Sequence, residues 1–304
     1  MEIVLVLLKQ IIVMFILMLI GVLLFKYKKL SLQGSKELGS LLLYVVIPVV
    51  IIKSFCIEPT KIRMYGLLWS SILSLLSLIV AIIISYLLFK RTYALDNFAA
   101  AFSNAGFIGI PLVQATIGGD AVFYIAPYIA LLNILQWTYG AFVITEDKKV
   151  ITYKKLFTNP IVIATIIGCL IFFLHVSIPD IGITIFTTIS GLNTPIAMLI
   201  SGVYLAQISF HSIFNDRKLF ISSVVRLWII PCITLGIFYL FSFVSMDIKL
   251  AVLIAASAPV GSNIAIFASL YDKDYLYSVK TICLSTILSM ITMPCILMMA
   301  QYLL

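Results

Sequence analysis

Charged residues are scarce in this chain of 304 residues: Asp, Glu, Lys and Arg together make up 11% of it, and only 12 residues are acidic. No Asp or Glu falls in the middle of an apolar run, which argues against the carboxylate proton relays of many pumps. The net charge of +8 comes from basic residues in short stretches between apolar runs. We therefore expect no nucleic-acid partner, because no polar domain carries a basic patch.

Residues for catalysis or metal binding are also few. The two histidines, His175 and His211, have no ligand partners at metal spacing, and the sequence has no phosphate loop and no nucleophile at a suggestive distance from a base. The five cysteines form no CxxC pair, so we expect small buried hydrophobic residues at these positions. The sequence predicts neither an enzyme nor a bound cofactor, and it leaves sodium or proton coupling open.

Apolar residues are abundant instead, at 63% of the chain, against roughly 45–50% in soluble domains. Runs of about 20 apolar residues are typical of membrane-spanning helices. We predict an all-α polytopic membrane protein in which the first run is a retained helix. The ten predicted spans are 3–25, 38–55, 64–89, 97–118, 121–144, 159–175, 181–206, 218–244, 248–270 and 275–303.

The distribution of basic residues predicts the orientation of these spans. Of the 20 Lys and Arg residues, most fall in loops on one side of the membrane: Lys26, Lys28, Lys29, Lys36, Lys90, Arg91, Lys148, Lys149, Lys154, Lys155, Arg217, Lys218, Lys273 and Lys280. The loops on the other side hold Lys61, Arg63 and Lys249. Because basic loops stay in the cytoplasm, we expect a multi-pass protein of the cell membrane with both termini on the non-cytoplasmic side.

Two halves of five spans each indicate an internal duplication. Residues 1–144 form the first half, 145–158 a cytoplasmic linker and 159–304 the second half. Because five is odd, the halves have opposite orientations, as in the inverted repeats of many transporters. Ser103-Asn104 in segment four and Ser262-Asn263 in segment nine hold equivalent places, which supports the repeat.

Segments four and nine also carry helix-breaking residues. A helix through Gly106, Gly109 and Pro111 is predicted to kink or break, and Pro259 has the same effect in segment nine. In hydrocarbon, freed backbone groups are tolerated only where they line a cavity. The amides of Asn104 and Asn263 can bind a solute there, or they can simply cap a half-helix or bond to a neighbouring helix.

Other polar residues within spans have two readings each. Asn193 and Thr194, beside Pro195, either face the same cavity or mark a kink. Asn133 and Gln136 share one helical face and are interpreted as contacts to a neighbouring helix rather than as ligands.

The charged and aromatic residues near span ends complete the set of candidates. Arg226 is expected to extend to the cytoplasmic headgroups, with attraction of an anionic substrate as the alternative. Asp96 and Asp120 are interpreted as solvated caps, and Tyr44 and Pro48 as packing residues.

Several motifs resemble the auxin efflux carrier family, which includes the plant PIN-FORMED carriers and is more distantly similar to the bile acid sodium symporters. The matching residues are Tyr44–Pro48, Ser103–Pro111, Gly118–Asp120, Asn133–Gly140 with Trp137, Asn159-Pro160, Pro195–Met198 with Gly202, and Ala258–Val260. The resemblance covers essentially the whole chain. The segment between the two halves is short, as in microbial members, and segments four and nine lack a carboxylate matching the sodium sites of the bile acid relatives.

The resemblance implies a fold and a mechanism. Helices four and nine would be broken and crossed, with a scaffold at 1–55 and 159–206 and a transport domain at 64–144 and 218–304 that slides past it as an elevator. A homodimer through the scaffold would fit the family, and a small organic anion would be the substrate. The predicted binding residues are Asn104, Pro111, Asn193, Thr194, Pro259, Ser262 and Asn263. A channel-like pore and a ligand sensor that does not transport are the alternatives.

Overall fold

The computed structural model describes residues 2–147, 158–209, 213 and 216–304. These residues are helical, and the one β-type pairing among them is an isolated antiparallel bridge between Ser103 and Val260. The all-α prediction is therefore confirmed for this part of the chain. Most of the predicted linker 145–158, with its four lysines, and His211 lie outside the described residues.

The helices follow the predicted apolar runs closely. They are α1 (Glu2–Lys26), α2 (Leu32–Phe55), α3 (Lys61–Phe89), α4 (Ala94–Ala101), α5 (Ala105–Thr116), α6 (Gly119–Thr145), α7 (Pro160–Phe173), α8 (Asp180–Ser190), α9 (Asn193–Ala206), α10 (Arg217–Tyr239), α11 (Met246–Ser257), α12 (Asn263–Leu270) and α13 (Tyr275–Leu303). Among the described residues, seven helical stretches are long and apolar enough to cross a membrane, counting α8 and α9 as one stretch. Helices α5 and α7 are apolar but shorter.

Side-chain caps explain where several helices begin. Ser31 accepts a hydrogen bond from the Gly34 N–H, so α2 starts at Leu32 rather than at the predicted residue 38. Asn159 accepts from the Ile161 N–H at 2.9 Å and starts α7, and Asp274 starts α13 in the same way. Capping replaces the hydrogen bonds that the first N–H groups of a helix lack.

Four helices contain a π turn, at Leu42–Val46, Ala105–Gly109, Gln136–Gly140 and Val225–Ile229. Three of these turns end two residues before a proline, at Pro48, Pro111 and Pro231. In each of the three, the residue before the proline donates its N–H to the carbonyl five residues back. The wider turn accommodates the missing proline donor, so the helix continues. We predicted a kink or a break at Pro111: α5 does not break at this proline, and the non-helical residues of segment four are 102–104.

Helix α1 packs along α9 at very short range. Gly21 and Gly202 face each other, and a Cβ atom on Gly202 would lie only 2.8 Å from the Gly21 Cα and would overlap the Met18 carbonyl oxygen. Small residues allow helix backbones to approach this closely in membranes. Helices α1, α2, α7, α8 and α9 thus pack as one group, while α6 packs against α3 and α11, and α10 and α13 against α11.

Lys249 does not lie in a loop as predicted. It belongs to α11, its side chain is buried, and its Nζ donates to the Leu304 carbonyl at 3.4 Å. Among the basic residues that we predicted in loops on the non-cytoplasmic side, Lys61 and Arg63 remain outside the membrane-embedded core.

Candidate functional site

Two non-helical stretches meet inside the helical bundle, and we call them the junction: residues 102–104 between α4 and α5, and residues 258–262 between α11 and α12. The Asn104 N–H donates to the Pro259 carbonyl at 2.7 Å, and the Gly261 N–H donates to the Phe102 carbonyl at 3.0 Å. Each stretch thus provides hydrogen-bond partners for backbone groups of the other. These bonds allow two helices to be interrupted at the same place in an apolar surrounding.

The two stretches approach each other closely at Gly261. A Cβ atom at this position would lie 3.0 Å from the Ser103 carbonyl oxygen. The Ser103 hydroxyl in turn lies 3.0 Å from the hydroxyl of the fully buried Tyr128. The junction is therefore a tightly packed backbone contact, fixed from α6 as well.

A cavity of about 330 Å³ borders the junction. Its walls come from α2, α5, α6, α7, α9, α12 and α13 together with the junction. The polar lining residues are Ser35, Lys36, Ser40, Ser103, Asn104, Asn133, Gln136, Tyr204, Ser262, Asn263, Ser269 and Tyr275. Lys36 is the only charged residue among the described residues that line it. Such a volume, with apolar walls and a few convergent polar groups, is typical of a small-molecule site.

The amides predicted to bind substrate link the two halves of the chain. Asn104 donates from Nδ2 to the Ser262 hydroxyl at 3.1 Å, and its Oδ1 accepts the Phe107 N–H at 3.4 Å. Asn263 donates from Nδ2 to Gln136 Oε1 at 2.7 Å. Asn104 therefore caps α5, as one of its two readings predicted, and it also lines the cavity.

Gln136 makes the contact to a neighbouring helix that we predicted, because it accepts the hydrogen bond of Asn263 in α12. Sequence reasoning missed that Asn133 and Gln136 also line the cavity. The Asn133 amide donates to the Ile129 carbonyl at 2.9 Å in its own helix. The signal was present in their shared helical face, because a polar face on an otherwise apolar span must meet polar groups.

The remaining predicted site residues lie outside the cavity lining. Asn193 donates to the Gly106 carbonyl at 3.3 Å, and its Oδ1 is buried without a partner among the described residues. Pro259 contributes its carbonyl to the junction, while Pro111 is buried within α5. Thr194 is half-buried and does not line the cavity. The structure thus brings Asn104, Ser262 and Asn263 together at the cavity and holds Asn193 behind them.

Arg226 is the residue that sequence reasoning placed most wrongly. Its side chain is completely buried, with no exposure towards either membrane surface. It donates to the carbonyls of Ala100 at 3.1 Å and Ala101 at 3.3 Å, and also to the carbonyl of Ala256. These oxygens end α4 and α11, immediately before the junction. The prediction that this side chain extends to the headgroups is therefore wrong, because three unpaired helix carbonyls bind it inside.

The sequence profile of a family described as membrane transport protein matches residues 6–297, which is nearly the whole chain. The chain belongs to this family, the auxin efflux carriers. None of the curated proteins compared with the chain matches it. Membership and the apolar helices identify a multi-pass membrane transporter, in a family of transporters rather than of enzymes.

In this membrane transport protein, the surroundings of two further residues, Asp96 and Tyr44, differ from those that we predicted. Asp96 is buried, with 5% exposure, and accepts a hydrogen bond from the Tyr277 hydroxyl at 2.6 Å, so it is not a solvated cap. Tyr44 is 64% exposed and does not pack inside the described chain, whereas Pro48 does. Asp120 is exposed as expected, 3.8 Å from Arg63.

Proposed function

We propose that this membrane transport protein is a secondary carrier of a small organic anion, a carboxylate. The observation that carries the proposal is the lining of the cavity beside the junction. It presents amides and hydroxyls that can donate hydrogen bonds, and its only charged residue among the described lining residues is a cation, Lys36. An anion finds donors and no competing carboxylate there.

The junction supplies a further attraction for an anion. Helix α12 begins at Asn263 beside the cavity, and the N-terminal end of a helix carries a partial positive charge. Carriers with interrupted helices use such ends to bind the carboxylate of a substrate near the bilayer midplane. The junction is then the crossing of broken helices four and nine in a ten-span, 5+5 inverted repeat.

An elevator mechanism accounts for movement of the site. The group α1, α2, α7, α8 and α9 would be the scaffold, and the helices around the junction the transport domain. Helix α2 borders the cavity near Lys36, and near Lys53 it borders a smaller cavity of about 100 Å³ with Gln114 and Asp120. With both termini on the non-cytoplasmic side, the larger cavity opens to the cytoplasm and the smaller one marks the closed outer entrance.

Uptake of labelled mono- and dicarboxylates into proteoliposomes, with and without sodium, tests the function. We expect flux that saturates with substrate and slows sharply on cooling, and a thermal shift by the same compounds, because a ligand of the folded state raises its stability. A large ohmic conductance would contradict the proposal in favour of a pore. Binding without flux would contradict it in favour of a sensor.

Lys36 gives a specific test of the anion charge. We expect Lys36→Gln to raise the KM for a carboxylate about fivefold at low salt, because a cation at the mouth of a cavity attracts anions. The difference should shrink at high salt, where exposed charges are screened. Lys29→Gln is the matched control, since Lys29 is exposed in the preceding turn and does not line the cavity. An equal KM for both variants would show that Lys36 does not act on the substrate.

A further inference from the structure

Two helix ends converge on the guanidinium of Arg226. Helix α4 contributes the carbonyls of Ala100 and Ala101, and α11 contributes the carbonyl of Ala256. The last carbonyls of a helix have no partner within it and carry its partial negative charge. In membrane carriers, helix C-termini and unwound carbonyls of this kind coordinate small cations. Arg226 reaches the same kind of oxygen cluster from α10.

In the described part of the chain, the hydrogen-bond partners of Arg226 are these three carbonyls. Among the described residues, the ion pair within 4.0 Å is that of Arg63 with Asp120, so no described carboxylate pairs with Arg226. Its Nε is buried without a partner, while its two terminal nitrogens serve the carbonyls. A buried cation of this kind is costly unless its surroundings supply oxygen ligands.

We propose that the guanidinium of Arg226 occupies a cation-binding site at the junction. By doing so, Arg226 acts as a positioning residue for the substrate site. Its planar guanidinium donates hydrogen bonds to carbonyls of two helices at once. The ammonium group of a lysine cannot donate with the same geometry. By tying the ends of α4 and α11 together, it fixes the register in which Asn104 meets Ser262. Without it, the three carbonyls form a vacant cation site that free guanidinium occupies.

Thermal unfolding of purified Arg226→Ala tests this directly. We expect its midpoint to lie roughly 5–10 °C below that of the wild type, because removing one partner leaves buried polar groups unpaired. Guanidinium chloride at low millimolar concentration should raise the midpoint saturably by about 2–4 °C, as a ligand of the folded state does. Sodium and choline chloride at equal ionic strength are the comparison salts, and an equal rise with either of them would show a general effect of salt and overturn the proposal.

The controls separate a specific site from general effects of the salt. Wild type and Arg63→Ala, which alters an exposed arginine, should show no rise with guanidinium. A wild-type midpoint for Arg226→Ala, or no rise of its midpoint with any cation, would overturn the proposal. If Arg226→Ala does not fold, Arg226→Lys and Arg226→Gln decide it: the lysine variant must be the more stable of the two, and equal stability overturns the proposal.

A second experiment measures transport by Arg226→Ala, and its expected result rests on the proposed function. We expect carboxylate uptake by Arg226→Ala to fall about tenfold or more through a higher KM, and guanidinium to lower that KM again, whereas a merely structural role would reduce the amount of folded carrier and leave KM unchanged. The two proposals fail separately. If the wild type takes up no carboxylate, the carrier function is contradicted. The rise of the unfolding midpoint of Arg226→Ala with guanidinium still tests the role of Arg226.

Discussion

Asn104→Ala and Asn263→Ala are each expected to lower kcat/KM for carboxylate uptake about 10- to 100-fold. Each change removes a donor that faces the cavity and also leaves a partner unpaired, the Ser262 hydroxyl in one case and the Gln136 amide oxygen in the other. Losing a hydrogen bond to a charged group costs about 1.5–3 kcal/mol, and the orphaned partner adds its own cost. The loss should appear mainly as a higher KM if the amides bind the substrate in the ground state.

Asn159→Ala is the matched control for these two variants. Asn159 is buried to nearly the same degree as Asn104 and, like Asn104, caps a helix, α7, but it does not line the cavity. Its replacement should lower the unfolding midpoint, at a cost of about 1 kcal/mol for a lost cap, and leave KM unchanged. If Asn104→Ala and Asn263→Ala both retain wild-type affinity and flux, the substrate binds elsewhere.

The second large effect concerns the fold rather than the site. Gly202→Val is expected to lower the free energy of unfolding by about 3 kcal/mol or more, or to prevent folding. The atoms that a side chain would meet are backbone atoms of Met18, Gly21 and Val22, which cannot turn aside as a side-chain tip would. Helices α1 and α9 would have to separate along their length.

Gly236→Ala provides the comparison, because Gly236 is exposed on α10 and a Cβ atom there would have no neighbour within 4 Å. This variant should be as stable as the wild type or up to about 1 kcal/mol more stable, since alanine favours a helix. Thermal unfolding midpoints in detergent measure both. A midpoint for Gly202→Val within the error of the wild type would show that α1 and α9 do not pack this closely.

Much of the fold could be predicted because long apolar runs specify helices directly. The bounds of α1, α3 and α13 differ from the predicted spans by three residues or fewer. The α2 start was missed because Ser31 caps an amphipathic stretch whose hydropathy alone is low. The interruption of segment four was assigned to Pro111 because proline usually breaks a helix. A local π turn before Pro111 accommodates its missing N–H donor, so the helix continues through this residue.

The candidate site was predicted less completely, for a physical reason. Asn104 and Asn263 were predicted at the cavity because amides in an apolar run are conspicuous, and Ser262 was predicted with them as the neighbour of Asn263. The partners of Arg226 are backbone carbonyls, which every residue has, so no sequence pattern reveals them. Which of several polar side chains share a cavity depends on how helices from distant parts of the chain pack, as Gln136 with Asn263 illustrates.

The π turns affect how this sequence aligns with the sequences of its relatives. A π turn holds one residue more than the α-helical path requires, so each behaves as a single-residue insertion inherited within a helix. Removing one residue from Leu42–Val46 would return this turn to the α-helical path, so the rest of α2 would keep its orientation and Lys53 its present neighbours. Relatives without these insertions should therefore align with one-residue gaps just upstream of Pro48, Pro111 and Pro231, and their downstream helix faces should be the same as in this chain.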